Sequence, residues 1–307
     1  MTYALISPCR NEADYMRRTL DSVIAQTVRP DLWLIVDDGS SDETPNILAE
    51  YAAAHDWIRV APKPDRGHRA VGPGVIEAFY FGLDQIDLKA FDYICKLDLD
   101  LDLPARYFEI LIDRMVAAPR IGTCSGKSYY RTPAGELKSE KCGDEMSVGM
   151  TKFYRTDCFL DIGGFVREVM WDGIDCHKAR QMGWIACSWD EPDLRFEHLR
   201  AMGSSQKSIL TGRRRHGHGQ YFMGSDPLYF IATAVFRMMH PPYVTGGLSM
   251  MVGYFNSMLR GLPQLDDQPL RTFIRAYQRR ALFVGKSRAI EEIMAKAPTP
   301  PAVTRLS

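Results

Sequence analysis

The sequence lacks an excess of charge of either sign, because 38 Lys and Arg residues balance 38 Asp and Glu residues in a chain of 307. Without a net positive field nothing concentrates a polyanion, and we expect no nucleic-acid partner. The sequence also lacks the ~20 consecutive apolar residues of a membrane-spanning helix. The nearest candidate, Pro241 to Leu259, is uncharged but interrupted by paired Pro, paired Gly, Asn and Ser. A buried helix and a contact with a membrane surface remain alternatives for this stretch.

Paired cysteines and the common nucleotide-binding motifs are missing as well. The seven cysteines are scattered, odd in number and without CxxC spacing, which favours reduced thiols in a cytosol over a disulfide framework or a zinc site. Neither a GxxxxGK[ST] phosphate loop nor a GxGxxG turn after the first strand is present, so neither a P-loop nor a dinucleotide fold is supported. We expect a cytoplasmic protein, either free or peripheral at the inner face of the cytoplasmic membrane.

The most informative stretch that is present is KLDLDLDLP, from Lys96 to Pro104. Its alternation of Leu and Asp has the period of a β-strand, which sends successive side chains to opposite faces. Three carboxylates on one face repel each other unless a cation lies among them, and Mg²⁺ and Mn²⁺ prefer such oxygen ligands. The stretch therefore predicts a metal site at Asp98, Asp100 and Asp102, with a solvated acidic edge strand as the alternative.

The amino-terminal part predicts a parallel sheet. Strands are expected over Tyr3 to Ser7, Trp33 to Val36 and Trp57 to Ala61, and each pair is separated by a segment with helical apolar spacing. This βαβαβ order is typical of parallel strands joined by right-handed crossovers. The second strand ends in DDGSSDET, which places carboxylates at a strand tip, where open α/β sheets bind their ligands. A plain turn followed by a helix cap would also explain that segment.

Three blocks in this order, SPCRNEADYMRRTLDSVIAQT, LIVDDGSSDET and the Asp-x-Asp stretch, resemble the family 2 glycosyltransferases of the GT-A fold. The resemblance covers roughly residues 3 to 190. It implies an α/β, Rossmann-like, mixed but mostly parallel sheet flanked by helices, and inverting transfer of a sugar from a nucleotide-sugar donor. In that family the first strand tip and the second Asp of the DDGS block hold the nucleotide. By position these residues are Pro8, Arg10, Glu12 and Asp38.

A glycine-rich segment, KPDRGHRAVGPG, precedes an expected helix from Val75 to Leu83. Glycines and arginines at a helix start suit a phosphate group, although a flexible loop with solvated basic residues would look the same. The resemblance favours a donor-binding loop that uses Arg66 and Arg69.

A second chemical block, DIGGFVREVMWDGIDCHKARQMGW, runs from Asp161 to Trp184. By resemblance Asp172 is the catalytic base and Asp175 the fallback, although Trp171 stands where the family usually has Glu. Inverting transfer needs one base to take the proton of the attacking hydroxyl. Asp172 would also favour the dipole at the start of a helix, and the two roles are compatible.

Two later features are basic. By resemblance His198 is an additional metal or phosphate ligand, while an ordinary hydrogen-bonded histidine is the alternative. The segment SILTGRRRHGHGQYFMG is interpreted as a mobile basic loop that closes over the donor diphosphate through Arg214 or a neighbouring arginine. Contact with an anionic lipid surface and a solvated turn are the other interpretations.

Together these features predict a GT-A domain over residues 1–205, with a donor half over about 1–104 and an acceptor half over about 105–205. A basic loop and a mainly helical region follow over 206–296, and a flexible tail over 297–307. The expected function is metal-dependent transfer, with Mg²⁺ or Mn²⁺, from a UDP-linked donor to a saccharide hydroxyl. The uncharged stretch Pro241 to Leu259 in the carboxyl-terminal third suggests a lipid-linked acceptor in bacterial polysaccharide biosynthesis. A sugar-phosphate nucleotidyltransferase and a catalytically inactive scaffold are the alternatives.

Overall fold

The computed structural model describes residues 1–67, 72–200 and 208–300. The strands of this part are β1 (Tyr3–Cys9), β2 (Leu32–Asp37), β3 (Ile58–Pro62), β4 (Tyr93–Leu97), β5 (Leu101–Asp102), β6 (Ile121–Ser125), β7 (Lys127–Arg131), β8 (Leu137–Ser139), β9 (Thr151–Arg155), β10 (Ile185–Ser188) and β11 (Arg195–His198). The α-helices are α1 (Met16–Ile24), α2 (Thr44–Ala54), α3 (Pro73–Leu83), α4 (Tyr107–Ala117), α5 (Thr156–Asp161), α6 (Trp171–Gln181), α7 (Ile209–Phe222), α8 (Pro227–Met238), α9 (Thr245–Leu259), α10 (Gln268–Val284) and α11 (Lys286–Met294).

The main sheet has seven strands in the order β10-β6-β9-β4-β1-β2-β3. Neighbouring strands are parallel except β9, which runs antiparallel to both β4 and β6. The predicted mixed, mostly parallel α/β sheet is confirmed. Because β1, β2 and β4 are parallel neighbours, their carboxyl ends meet at one edge, and the sequence blocks that follow them are brought together there.

Apolar side chains are buried on both faces of this sheet. One face packs Trp33, Phe108 and Phe153 into the larger cluster, and the other packs Phe79 and Trp171 into a second cluster. Burial on both faces explains why β1, β2 and β4 read as nearly continuous apolar runs rather than as alternating ones.

The acidic stretch is not a single strand, which corrects the prediction. Strand β4 ends at Leu97, the chain then turns, and β5 begins at Leu101 in a second sheet of order β5-β11-β7-β8. The alternating leucines are all buried, at 5% exposure or less. The alternation of Leu and Asp in the sequence therefore reflects leucines that are buried at every second position. A turn of this kind buries them in the same way as a strand.

The segment 121–131 is likewise divided between the two sheets as β6 and β7. Gly126 lies between them, and a Cβ there would overlap the carbonyl oxygen of Leu194. Only glycine allows the backbone to cross at this point.

The predicted basic loop is a helix, α7. Its glycines serve packing, because a Cβ on Gly217 would overlap the carbonyl oxygen of Met250, and one on Gly253 of α9 would overlap that of Arg214. Helix α10 joins the carboxyl-terminal region to α6 through an apolar cluster that includes Ile174 and Ile274. No helix in the described ranges is long and apolar enough to cross a membrane.

Candidate active site

The tip of β2 carries a buried carboxylate, Asp38, which is 6% exposed. It accepts hydrogen bonds from Lys63 Nζ at 2.9 Å and from Arg66 Nη2 at 2.9 Å. From the end of β1, the Arg10 guanidinium donates to the Asp38 carbonyl oxygen and to Asp65 Oδ1, the latter at 2.6 Å. The structure thus brings Arg10, Asp38 and Arg66 together, as the sequence predicted from three separate blocks.

The same group reaches the start of α3. Arg66 Nη1 donates to Glu77 Oε2 at 2.8 Å, which fixes the guanidinium between the β2 tip and this helix. Pro8 lies beside Val36 in the β1–β2 register, so it borders the same sheet edge. Arg69, the other predicted donor ligand, lies outside the described residues.

The acidic centre follows β4. The Asp98 carboxylate is contacted by Lys96 Nζ, which also donates to the Gly149 carbonyl oxygen at 3.0 Å. Asp100 Oδ2 lies 3.5 Å from His198 Nε2 and 3.7 Å from Arg200 Nε. Positive groups from β4 and β11 therefore neutralise these two carboxylates.

Protonation of these groups is coupled. Burial raises the pKa of Asp98, and Lys96 only partly offsets this rise. Burial acts in the same direction on Asp100, but the hydrogen bond and charge of His198 outweigh it and lower the pKa of that carboxyl. Burial would lower the pKa of His198, yet Asp100 and Glu140 raise it to about 9. His198 is accordingly an imidazolium at neutral pH in this arrangement, and Glu140 Oε1 lies 3.1 Å from its Nδ1.

The acidic centre can be compared with the ligands that a divalent cation needs. Within the described ranges no three His, Cys, Asp or Glu residues form a group that could hold a metal ion. Mg²⁺, however, is usually held by one or two carboxylates, with water and substrate phosphates completing its coordination. Asp98 and Asp100 therefore fit such an ion, while His198, which is protonated in this arrangement, would have to lose its proton before it could act as a ligand.

Asp102 is not part of this centre. Its carboxylate lies on β5 and pairs with Arg18 Nη2 at 2.5 Å. The stretch leaves β4 before Asp100, so the expected alignment of three carboxylates on one strand face is wrong.

Asp172 lies at the start of α6, partly buried, close to the acidic centre. A Cβ on Gly149 would be 2.9 Å from Asp172 Oδ2, and the Gly149 carbonyl oxygen is the one that Lys96 contacts. Burial raises the pKa of Asp172, and Lys152 opposes the rise. A carboxylate that holds its proton more tightly than usual is suited to act as a general base.

The fallback residue, Asp175, is engaged elsewhere. It is 2% exposed; its Oδ1 accepts from Lys152 Nζ at 2.5 Å, and its Oδ2 accepts from Tyr154 OH at 2.5 Å. Lys152 Nζ also donates to the Asp172 carbonyl oxygen at 2.7 Å. This buried pair anchors the first turn of α6 and so positions Asp172.

Among the arginines of α7, Arg215 rather than Arg214 faces the site. Burial lowers the pKa of Arg215, and the charge of Asp172 partly offsets this effect, whereas Arg214 is exposed. Adjacent residues of a helix point about 100° apart, so Arg214 and Arg215 face different directions. A loop, which is what the sequence predicted here, would not have distinguished them.

Sequence reasoning missed Arg200. Its guanidinium contacts the Glu12 carboxylate and lies 4.8 Å above the Tyr15 ring, so it joins the first strand tip to Asp100. The available signal was its place two residues after His198, which the sequence had already marked as a candidate ligand. Glu12 itself is buried, and its backbone N–H donates to Thr44 Oγ1 at 2.9 Å.

A family model described as "Glycosyl transferase family 2" matches residues 4–165, which are 162 of the 307 residues. Poly-beta-1,6-N-acetyl-D-glucosamine synthase of Staphylococcus aureus (strain MSSA476) is 29% identical over 132 residues, and that of Staphylococcus epidermidis is 28% identical over 132 residues. Each match covers 42% of this chain and 29% of the relative. The aligned region thus spans less than a third of the length of these curated relatives.

Solved structures share the fold. Staphylococcus aureus TarS 1–349 in complex with UDP aligns with a TM-score of 0.52 at 14% identity, covering 96% of this chain and 89% of that one. The mannosyltransferase PcManGT from Pyrobaculum calidifontis, in complex with GDP-Man and Mn²⁺, gives 0.51 at 16% identity, with 95% and 85% covered. GalNAc-T7 with UDP, GalNAc and Mn²⁺ gives 0.59 at 15% identity, with 95% and 56% covered. These alignments confirm the predicted GT-A fold.

Proposed function

Because the chain belongs to glycosyltransferase family 2, we propose that it moves a sugar, with inversion, from a UDP-linked donor to a hydroxyl of a saccharide acceptor. One observation carries the proposal: Gly149 links the two halves of the site. Its carbonyl oxygen contacts Lys96, the partner of Asp98, and its Cα faces Asp172. A leaving diphosphate at Asp98 and an acceptor hydroxyl at Asp172 would therefore meet in one cleft. Family membership favours this reaction over a nucleotidyltransferase or an inactive scaffold.

The nucleotide would lie against the ends of β1 and β2. Buried Asp38 can accept hydrogen bonds from a uracil N–H or from ribose hydroxyls, in exchange for the contacts that it now makes with Lys63 and Arg66. Arg10, Glu12 and Pro8 border the same place. TarS and GalNAc-T7 are described with UDP, which supports a uridine donor, while PcManGT is described with GDP-Man.

The diphosphate would lie beside Asp98 and Asp100. These two carboxylates would hold Mg²⁺ or Mn²⁺, which when bound acts as a Lewis acid on a leaving phosphate. The Mn²⁺ in two of the related structures supports this assignment. His198 would join the two carboxylates as a ligand only after losing its proton. Among the described residues, Lys96, Arg200 and Arg215 lie near the same place, and they can stabilise negative charge that develops on the leaving group.

Asp172 would accept the proton of the acceptor hydroxyl as the oxygen attacks the anomeric carbon. Attack on the side opposite the diphosphate inverts the configuration of that carbon. Lys152 and Asp175 hold the first turn of α6, so the carboxylate keeps its position while the proton moves.

The acceptor is proposed to be a lipid-linked saccharide of bacterial polysaccharide biosynthesis at the inner face of the cytoplasmic membrane. The support is the stretch 208–265, whose single carboxylate is Asp226, together with relatives named as polysaccharide synthases. A peripheral protein would meet such an acceptor at the bilayer surface.

Donor binding gives the direct test of the proposal. UDP at about 100 times its Kd with Mn²⁺ should stabilise the protein by about 2.7 kcal/mol, seen as a higher Tm. Asp38→Ala should weaken UDP affinity by about tenfold, because a buried acceptor of hydrogen bonds is lost. The control is Asp87→Ala, which removes a carboxylate that only caps a short turn before β4. If UDP shifts the Tm of Asp38→Ala as much as that of the wild type, the nucleotide does not bind at the β2 tip.

A further inference from the structure

Helices α8 and α9 each expose a stripe of large apolar side chains. On α8 the stripe consists of Leu228, Ile231, Val235 and Met239, which recur at intervals of three and four residues, with Phe236 beside them. On α9 it consists of Leu248, Val252 and Leu259. Leu259 is 83% exposed and Leu228 is 69% exposed. We call these eight residues the apolar face.

The apolar face is not the side on which the two helices pack. Their packed sides meet through Phe230 and Tyr254, whose rings stack at 4.2 Å, and through Ala234, which lies against Gly247. On α9, Gly253 and Met250 face α7. The apolar face therefore points away from the described part of the protein. A continuous apolar surface of this kind on a folded chain marks an interaction site.

The sequence that forms α7, α8 and α9 carries exposed charge of one sign. Residues 208–265 contain five arginines and a single carboxylate, Asp226. Asp226 is 1% exposed and is held by Arg279 Nε at 2.6 Å. Among the described residues no carboxylate is paired with any of the five arginines, which are Arg213, Arg214, Arg215, Arg237 and Arg260. The surface is thus apolar and cationic, without an exposed negative group in its own sequence.

These cations also connect the apolar face with the candidate active site. Burial lowers the pKa of Arg213, and the charge of Arg237 on α8 adds to that effect, so two guanidinium groups lie near each other without a counter-ion in the described ranges. Arg215, two residues along α7, faces Asp172. A row of positive groups therefore runs from the α8–α9 pair to the proposed base.

We propose that the apolar face lies on an anionic lipid bilayer, with its side chains at the boundary between headgroups and acyl chains and with Arg213, Arg237 and Arg260 at the level of the lipid phosphates. Helix α9 has 15 residues, about 22 Å of helix, against the roughly 30 Å of a bilayer core. The contact is therefore interfacial rather than spanning. Each arginine near such a surface adds about 1 kcal/mol of attraction.

Charge argues against a second copy as the occupant. Two identical faces brought together would oppose arginine to arginine with no carboxylate to neutralise them, whereas lipid phosphates supply the missing negative charge. The inference deepens the proposed function in one respect, because it places a lipid-linked acceptor beside Asp172. The membrane contact itself follows from the surface and does not depend on which sugar is moved.

Vesicle sedimentation of the full chain tests the inference. The protein should bind vesicles that contain phosphatidylglycerol, bind pure phosphatidylcholine at least tenfold more weakly, and lose affinity as salt rises. Val235→Asp should reduce binding to the anionic vesicles at least tenfold. Val116→Asp on α4 is the matched control, since Val116 is 48% exposed and Val235 is 49% exposed, and it should leave binding unchanged. Absence of binding, or equal loss in both variants, would overturn the inference.

Two further readouts separate the inference from its alternatives. Sedimentation velocity without lipid should find the same oligomeric state in the wild type and Val235→Asp; a dimer that the substitution dissociates would identify a second copy as the occupant and overturn the proposal. A cooperative thermal transition without UDP shows that each variant is folded, and the Tm increase with UDP is then measured on both. If the protein binds vesicles but UDP does not raise its Tm, the membrane contact is supported and the proposed function is rejected. If UDP raises the Tm but the protein does not bind vesicles, only the membrane contact is rejected.

Discussion

Asp172→Asn should lower the rate of sugar transfer by about 10²- to 10⁴-fold, the usual contribution of a positioned base, while UDP affinity stays close to that of the wild type. The substitution keeps the shape of the side chain but removes its ability to accept a proton. Asp172 contacts the Gly149 segment and not the groups around Asp38, so donor binding is not expected to change. Transfer at saturating donor and acceptor gives kcat, and a UDP titration gives the affinity.

The pH dependence provides a second readout of the same residue. Burial raises the pKa of Asp172 above its ordinary value, and the base acts only when it is deprotonated. Activity should therefore fall as the pH is lowered through this raised pKa, at a higher pH than for an exposed aspartate. The residual rate of Asp172→Asn should lack that acidic limb. A variant with wild-type kcat, or with an unchanged acidic limb, would exclude Asp172 as the base.

Lys152→Met should destabilise the fold by about 3–5 kcal/mol, because it leaves Asp175 as an uncompensated buried charge. The side chain of Lys152 is 0% exposed and that of Asp175 is 1% exposed. Tyr154 OH also donates to Asp175 at 2.5 Å, so the carboxylate has no route to water when the lysine is lost. Urea unfolding of the two proteins measures the difference in free energy of unfolding.

Two controls bracket this result. Arg17→Met breaks the exposed pair with Glu50, whose side chains are 49% and 60% exposed, and should leave the free energy of unfolding close to that of the wild type, because water and salt screen such a pair. Lys152→Met combined with Asp175→Leu removes both buried charges and should recover much of the lost stability. If the free energy of unfolding of Lys152→Met lies within about 1 kcal/mol of the wild-type value, the Lys152–Asp175 pair does not anchor α6. The outcome also bears on the choice of base, since a structural Asp175 leaves Asp172 as the carboxylate available to an acceptor.

The main sheet could be predicted from sequence because its signals are local. Apolar runs that end in DDGS or in an Asp-rich turn identify β2 and β4, and parallel neighbours bring their ends together. The grouping of Asp38 with Arg10 and Arg66, and of Asp98 with Asp100, follows from that topology. The course of the chain after Leu97 could not be predicted. Every second residue there is a buried leucine, and a continuous strand would give the same sequence pattern as the turn that the protein forms.

Other parts of the site depend on contacts between distant residues. The glycines of α7 resemble loop glycines in sequence, yet they exist because α9 lies against the helix backbone at Gly217. The same tertiary contact decides that Arg215 rather than Arg214 faces Asp172. The contact between Arg200 and Glu12 joins residues 188 positions apart, and no local pattern encodes it. The Lys152–Asp175 pair joins β9 to α6 in the same way.

Binding of Mn²⁺ tests most directly whether Asp98 and Asp100 serve a nucleotide diphosphate. Isothermal titration of Mn²⁺ into the UDP-saturated protein should give one site per chain, and Asp100→Asn should weaken that site at least tenfold. Asp102→Asn, which alters only the pair with Arg18, should leave the affinity for Mn²⁺ unchanged. Equal Mn²⁺ affinity in the wild type and Asp100→Asn, with UDP bound to both, would contradict the assignment of these carboxylates.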